Sequence, residues 1–197
     1  MNTPNKLTIF RILLVPIIVL VYIFPYAQFD IVVTNYTVNG VFISLKNIIV
    51  LALFALAAFT DFLDGYLARK YNQITTFGKF LDPIADKLLV NTLFILLAHQ
   101  GIVPVVAVLL MIWRDTVVDG VRMMASSKGE VISAGLLGKI KTVAQMLTII
   151  FVLLNNMPFE FYGLPVTDVL VWFSTLVSLA SGYSYFIAAK DIIFETM

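Results

Sequence analysis

The sequence predicts an all-α integral membrane protein, a bundle of six transmembrane helices with its active site facing the cytoplasm. Three observations carry that expectation. Hydrophobic residues make up 60% of the 197 and charged residues only 13%, at a mean hydropathy of +0.97, whereas soluble domains are nearer half apolar and a quarter charged. The apolar residues gather in six stretches of about 20, the length that a bilayer core of about 30 Å asks of a helix. With the N-terminus placed in the cytoplasm, every one of the 13 basic residues except Lys46 falls on that side, the bias that orients membrane helices.

The first stretch runs from Leu7 to Tyr26. Its Pro16 is tolerable because neighbouring groups in a membrane bundle satisfy the freed carbonyl. The stretch is too long for a cleavable signal peptide, and no small-x-small cleavage site follows it. Residues 27–46 form the longest connection, with alternating Val, Ile and Tyr around an Asn39-Gly40 pair. That pattern fits either a short hairpin or an amphipathic segment lying on the outer surface. The second stretch, Ile48 to Leu67, leads through a polar cytoplasmic loop at 69–79 to the third, Leu81 to Ala98. Ile102 to Met124 is the fourth, followed by a second polar cytoplasmic loop at 125–139 that runs into the fifth, Ala134 to Leu154. A short outer loop at 155–165 precedes the sixth, Val166 to Ala189, and both termini fall in the cytoplasm. No internal repeat, low-complexity tract or long linker interrupts the chain, so residues 1–197 read as one domain.

Composition also removes whole classes of function. A net charge of +1 gives no electrostatic footprint for a nucleic-acid partner. The absence of cysteine rules out disulfides, thiolate metal sites and thiol nucleophiles. The single histidine, His99, cannot build an imidazole cluster and reads as an exposed polar residue near an outer loop. The chemistry is left to carboxylates, arginines, lysines and hydroxyls.

Ionisable groups within membrane spans are costly and mark functional sites. Asp61, Asp64, Asp82, Asp86, Asp115 and Asp119, half of the 12 acidic residues, lie in or at the ends of predicted helices. Asp61 and Asp64 are three apart and Asp82 and Asp86 four apart, so each pair shares a helix face. The two helices are consecutive and joined by a short loop, which lets four carboxylates converge as they do in bundle-core metal sites. Four such charges repel unless a cation is present, and an all-oxygen donor set favours Mg²⁺, Mn²⁺ or Ca²⁺ over zinc. Gly65, Ala68 and Gly78 lie beside these acids. Such small residues serve close helix packing or leave room for a ligand, and spacing does not separate the two. Arg69 suits a phosphate or a snorkelling helix end equally well.

Together these residues spell Asp61-x2-Asp64-Gly65-x2-Ala68-Arg69-x8-Gly78-x3-Asp82-x3-Asp86. The pattern resembles, at all eight positions, the signature of the CDP-alcohol phosphotransferase family. Those proteins are six-helix integral membrane enzymes, typically homodimers, that move a phosphatidyl or similar group from a CDP-linked donor to an alcohol and release CMP. The resemblance implies that Asp61, Asp64, Asp82 and Asp86 hold two divalent cations, Mg²⁺ or Mn²⁺, with Asp86 doubling as general base. It implies room for the cytidine at Gly65 and Gly78, with Ala68 beside them, and a donor-phosphate ligand at Arg69. Asn5 and Thr8 share a helix face with Arg11 and either hold the donor headgroup or anchor the helix at the interface.

Four further runs are similar to the bacterial branch that joins CDP-diacylglycerol to glycerol 3-phosphate in the cytoplasmic membrane. They are Pro4-Asn5-Lys6-Leu7-Thr8 with Arg11, residues 81–87, Arg114-Asp115, and residues 138–142 with Gln145. Asp119-Gly120 departs from that branch, where less polar or bulkier residues are expected. An acceptor dianion needs counter-charge, for which Arg114, Lys139 and Lys141 are the candidates and Arg122 a fourth. Positive-inside bias alone is the simpler account of Arg122. Two alternatives stay open: the same chemistry with inositol phosphate, serine or another lipid alcohol as acceptor, and a small cation transporter that uses the aspartates as its pathway. A transporter would spread its acids through the bilayer depth, whereas these cluster near one face.

Overall fold

The structure, a computed structural model, describes residues 2–71, 75–129 and 135–190. Parts of both predicted cytoplasmic loops (72–74 and 130–134) and the last seven positions of the predicted domain lie outside the described residues. Six α-helices follow in order: α1 Thr3–Ile23, α2 Leu45–Lys70, α3 Thr76–His99, α4 Val105–Ser127, α5 Leu136–Leu153 and α6 Val166–Ala188. Their ends differ from the apolar stretches for local reasons. α1 begins four residues before Leu7 because the Asn2 side chain accepts the Asn5 N–H at 3.2 Å and Pro4 occupies the first turn, both helix-start features. It ends before Pro25, whose ring disfavours helix at the preceding residue. Pro104 likewise delays the start of α4 to Val105.

The connection after α1 contains the hairpin. Strands β1 Asn35–Val38 and β2 Val41–Ser44 pair antiparallel with Val38 opposite Val41. Asn39 and Gly40 close the turn at φ of 49° and 87°. Two successive positive φ values define the tight turn that matches strand twist, and Asn-Gly is the pair that tolerates it best. Val41 and Ile43 are buried, and β2 packs against α2.

The chain forms two compact units. One comprises Met1–Leu96 with Ile150–Leu164, the other Leu97–Ile149 with Pro165–Met197. In the first, α1 packs along α2, and Ile18, Val50, Phe54 and Ala57 are buried. In the second, α4 packs along α6, where Ser174, Ser178 and Ser181 supply a fully buried line of small side chains. Small residues of this kind allow helices to approach closely without water to drive them together.

Among the described residues four helices, α1, α2, α5 and α6, are long and apolar enough to cross a membrane. The other two are as long but carry charges through their first or middle turns, Asp82, Asp86 and Lys87 in α3 and Arg114, Asp115, Asp119 and Arg122 in α4. Large apolar side chains are exposed along the four, among them Leu20, Phe62, Val143 and Leu176, a surface suited to lipid rather than water. Trp113 and Trp172 are exposed too, as is His99.

Candidate active site

Asp61 and Asp64 on α2 and Asp82 and Asp86 on α3 are gathered at one place in the first unit, and the residue that gathers them is Arg11 of α1. Its Nη1 lies 2.8 Å from Asp61 Oδ1 and 2.7 Å from Asp86 Oδ1, and its Nη2 donates to Asp64 Oδ2 at 2.5 Å. Asp82 is reached from one turn earlier on α1: Thr8 Oγ1 donates to Asp82 Oδ1 at 2.9 Å and stands 3.4 Å from Asp64 Oδ2. One turn earlier again, Asn5 Oδ1 accepts from Thr75 Oγ1 at 3.0 Å, and Thr75 caps α3 by accepting the Gly78 N–H at 3.0 Å. The three-residue spacing of Asn5, Thr8 and Arg11 therefore docks one face of α1 onto α3 and the carboxylates.

Exposure is graded across the cluster. Asp64 is buried at 4%, whereas Asp61 and Asp86 keep 36% and 40% of their side-chain surface open. A ligand can reach Asp61 and Asp86, with Asp64 behind them. A methyl group added at Gly78 would stand 3.1 Å from Asn5 Oδ1 and 3.3 Å from Thr75 Oγ1, so glycine here lets α1 meet the start of α3. Gly65 is different: its nearest neighbour is the Arg69 guanidinium at 3.7 Å, ordinary contact distance, and Arg69 is exposed. Ala68 is half-buried beside them.

Among the described residues no three acidic or imidazole groups stand in an array that would hold a metal ion as they are. The donor chemistry nevertheless fits one. Four carboxylates form an all-oxygen set for a hard cation, and a guanidinium already stands where positive charge is needed. Their present spacing follows the wide fork of that guanidinium rather than the roughly 2.0–2.1 Å bonds of a Mg²⁺ ion.

The second unit holds the other cations. Arg114 Nη1 donates to Asp115 Oδ1 at 2.8 Å, and Lys141 Nζ of α5 pairs with that same oxygen. Arg114 Nη2 also donates to Ser181 Oγ of α6 at 2.6 Å. A side chain at Gly182 would collide with the stem of Arg114, 2.8 Å from its Cγ, so that glycine makes the space in which the arginine lies. Arg122 hydrogen-bonds the Tyr185 hydroxyl, and both arginines lie against the Tyr185 ring. Arg114 and Lys141 are thus brought together, with Arg122 sharing a neighbour. Lys139, two positions before Lys141 and turned away from it on α5, is exposed and borders an apolar groove of about 280 Å³ between α5 and α6.

The sequence singled out Asp115 without assigning it a role, and it placed Arg11 on the right face without a partner. Thr75, Ser181, Gly182 and Tyr185 gave no signal, because a lone hydroxyl, glycine or ring in a helix looks like any other.

A family model described as CDP-alcohol phosphatidyltransferase matches residues 1–180. A protein of Bacillus subtilis named CDP-diacylglycerol–glycerol-3-phosphate 3-phosphatidyltransferase is 40% identical over 185 residues, covering 94% of this chain and 93% of its own. Proteins of the same name are 35% identical in Rickettsia felis, covering 96% of each chain, and 34% identical in Wigglesworthia glossinidia brevipalpis, covering 98% of this chain and 97% of its own.

Proposed function

The chain belongs to the CDP-alcohol phosphatidyltransferase family, and from that membership we propose that it transfers the phosphatidyl group of CDP-diacylglycerol to the 1-hydroxyl of sn-glycerol 3-phosphate, giving phosphatidylglycerophosphate and CMP. Relatives that carry the name of this reaction match nearly its whole length. The observation that carries the chemistry is the meeting of Asp61, Asp64, Asp82 and Asp86 around one positive charge.

Attack by an alcohol on a diphosphate needs a proton acceptor for the hydroxyl and positive charge for the leaving group. Asp86 is the base: its open carboxylate takes the proton of the 1-hydroxyl as that oxygen bonds the phosphatidyl phosphorus. The bond from phosphorus to CMP breaks in line, with no covalent enzyme intermediate. Asp61, Asp64, Asp82 and Asp86 would hold two divalent cations, Mg²⁺ or Mn²⁺, which when bound supply the charge stabilisation that phosphoryl transfer requires. Gly65 and Ala68 leave space for the cytidine, Gly78 serves the donor site by letting α1 close against the start of α3, and Arg69, exposed at the end of α2, takes a donor phosphate. Asn5 and Thr8 serve the donor side by fixing α1 against α3. Arg114 and Lys141, with Lys139 and Arg122, supply counter-charge to the acceptor phosphate. All six helices span the bacterial cytoplasmic membrane as one domain, with termini and site on the cytoplasmic side, and the protein works as a homodimer.

The test is an acceptor screen with purified protein and CDP-diacylglycerol, following CMP release. Glycerol 3-phosphate should give turnover well above serine, inositol phosphate and free glycerol, and excess EDTA should abolish it until Mg²⁺ or Mn²⁺ is restored. Preference for another acceptor would overturn the substrate assignment, and full turnover in chelator the metal assignment.

A further inference from the structure

Arg11 belongs to neither aspartate pair, yet it is the residue through which three of the four carboxylates are joined. Its side chain is fully buried, on a helix that contributes no carboxylate to the cluster. Its Nε is buried without a hydrogen-bond partner among the described residues. The guanidinium is therefore held by carboxylate charge on its two outer nitrogens rather than by a complete set of hydrogen bonds.

We propose that Arg11 is a positioning residue that acts as the counter-ion of the metal-free site: it holds Asp61, Asp64 and Asp86 together until divalent cations bind, and those cations must displace it. This rests on the metal reading of the preceding subsection. Without a cation, four convergent carboxylates would repel one another, and the buried Asp64 would be an uncompensated charge. One guanidinium meets that need because its planar fork reaches several carboxylates at once. The oxygens it occupies, Asp61 Oδ1, Asp64 Oδ2 and Asp86 Oδ1, belong to the groups assigned to the metals. A divalent cation among them would lie close to a like charge, so the two occupants exclude each other. Release of Arg11 is then part of metal loading, and Thr8, which bridges Asp82 and Asp64 without charge, need not leave.

The experiment measures Mn²⁺ binding to the purified, metal-stripped full chain by the electron paramagnetic resonance signal of free Mn²⁺, with no donor or acceptor present. Arg11→Gln removes the competing charge and should bind Mn²⁺ at least about tenfold more tightly than wild type. Its melting temperature should fall in EDTA and recover with Mn²⁺, a larger metal-dependent gain than wild type shows. A purely structural arginine predicts the reverse affinity change, because looser carboxylates bind a metal less well. If Arg11→Gln does not fold without metal, Arg11→Lys decides: a single ammonium cannot fork across three carboxylates, and Mn²⁺ should bind about threefold more tightly than in wild type. Equal or weaker affinity in the variant that folds overturns the proposal while leaving the metal centre in place. Failure of wild type to bind Mn²⁺ overturns both.

Discussion

Asp86 is both reachable and held: 40% of its side chain is open, and Arg11 fixes one of its oxygens at 2.7 Å. Asp64, at 4%, is closed to any acceptor hydroxyl, which separates the two carboxylates by role. Asp86→Asn keeps the size of the group and removes the proposed proton acceptor. Turnover should therefore fall about 10²-fold or more, read from CMP release at saturating substrates. Donor affinity should weaken less than in Asp61→Asn, which removes a proposed metal ligand and leaves the proposed base. Near-normal turnover in Asp86→Asn would assign the base elsewhere.

The helices show how far the sequence can be read and where it stops. Apolar stretches located all six because hydropathy tracks membrane depth, but they misjudged the ends because caps and prolines set helix length. Asn39-Gly40 offered the hairpin as one of two readings, and its own backbone preference is what the turn uses. The paired aspartates were legible for the same reason, since spacing along one helix is local information. Arg11 was not, because its partners lie 50 or more positions away and nothing in α1 encodes their charge. Nor was the bridge that Asp115 makes between α4 and α5, although it bears on the cations proposed for the acceptor. Arg114 and Lys141 meet on one carboxylate oxygen of Asp115. Lys141→Ala removes one of these cations and its tie between α4 and α5, yet leaves Asp115 paired with Arg114, whose bond to Ser181 keeps α4 joined to α6. A lost charge-assisted contact is worth about 1.5–3 kcal/mol. Steady-state kinetics should show the KM for glycerol 3-phosphate rising roughly 10- to 150-fold with the donor KM nearly unchanged. A donor-side defect instead would detach this cluster from acceptor binding.

Charge placement orients the chain in the bilayer and carries the last prediction. α2 has 26 residues, roughly 39 Å at about 1.5 Å per residue, more than the hydrocarbon core requires. Its start follows the hairpin and carries the lone outer-side cation Lys46, whereas its end carries Arg69 and Lys70 beside the aspartates. Positive-inside bias predicts that the second end, and with it the proposed site, faces the cytoplasm, where a soluble acceptor such as glycerol 3-phosphate would reach it. The absence of cysteine makes this directly measurable, since any introduced thiol is the only one. Thr37→Cys, on the exposed strand β1, and Tyr71→Cys, exposed at the end of α2, place single thiols at opposite ends of the helix. In intact bacterial cells a membrane-impermeant maleimide should label the first within minutes and the second only after the membrane is opened. The opposite pattern would turn the site outward. Labelling of both from outside would show that α2 does not cross, and the reading of the aspartates as an intramembrane cluster would fail with it.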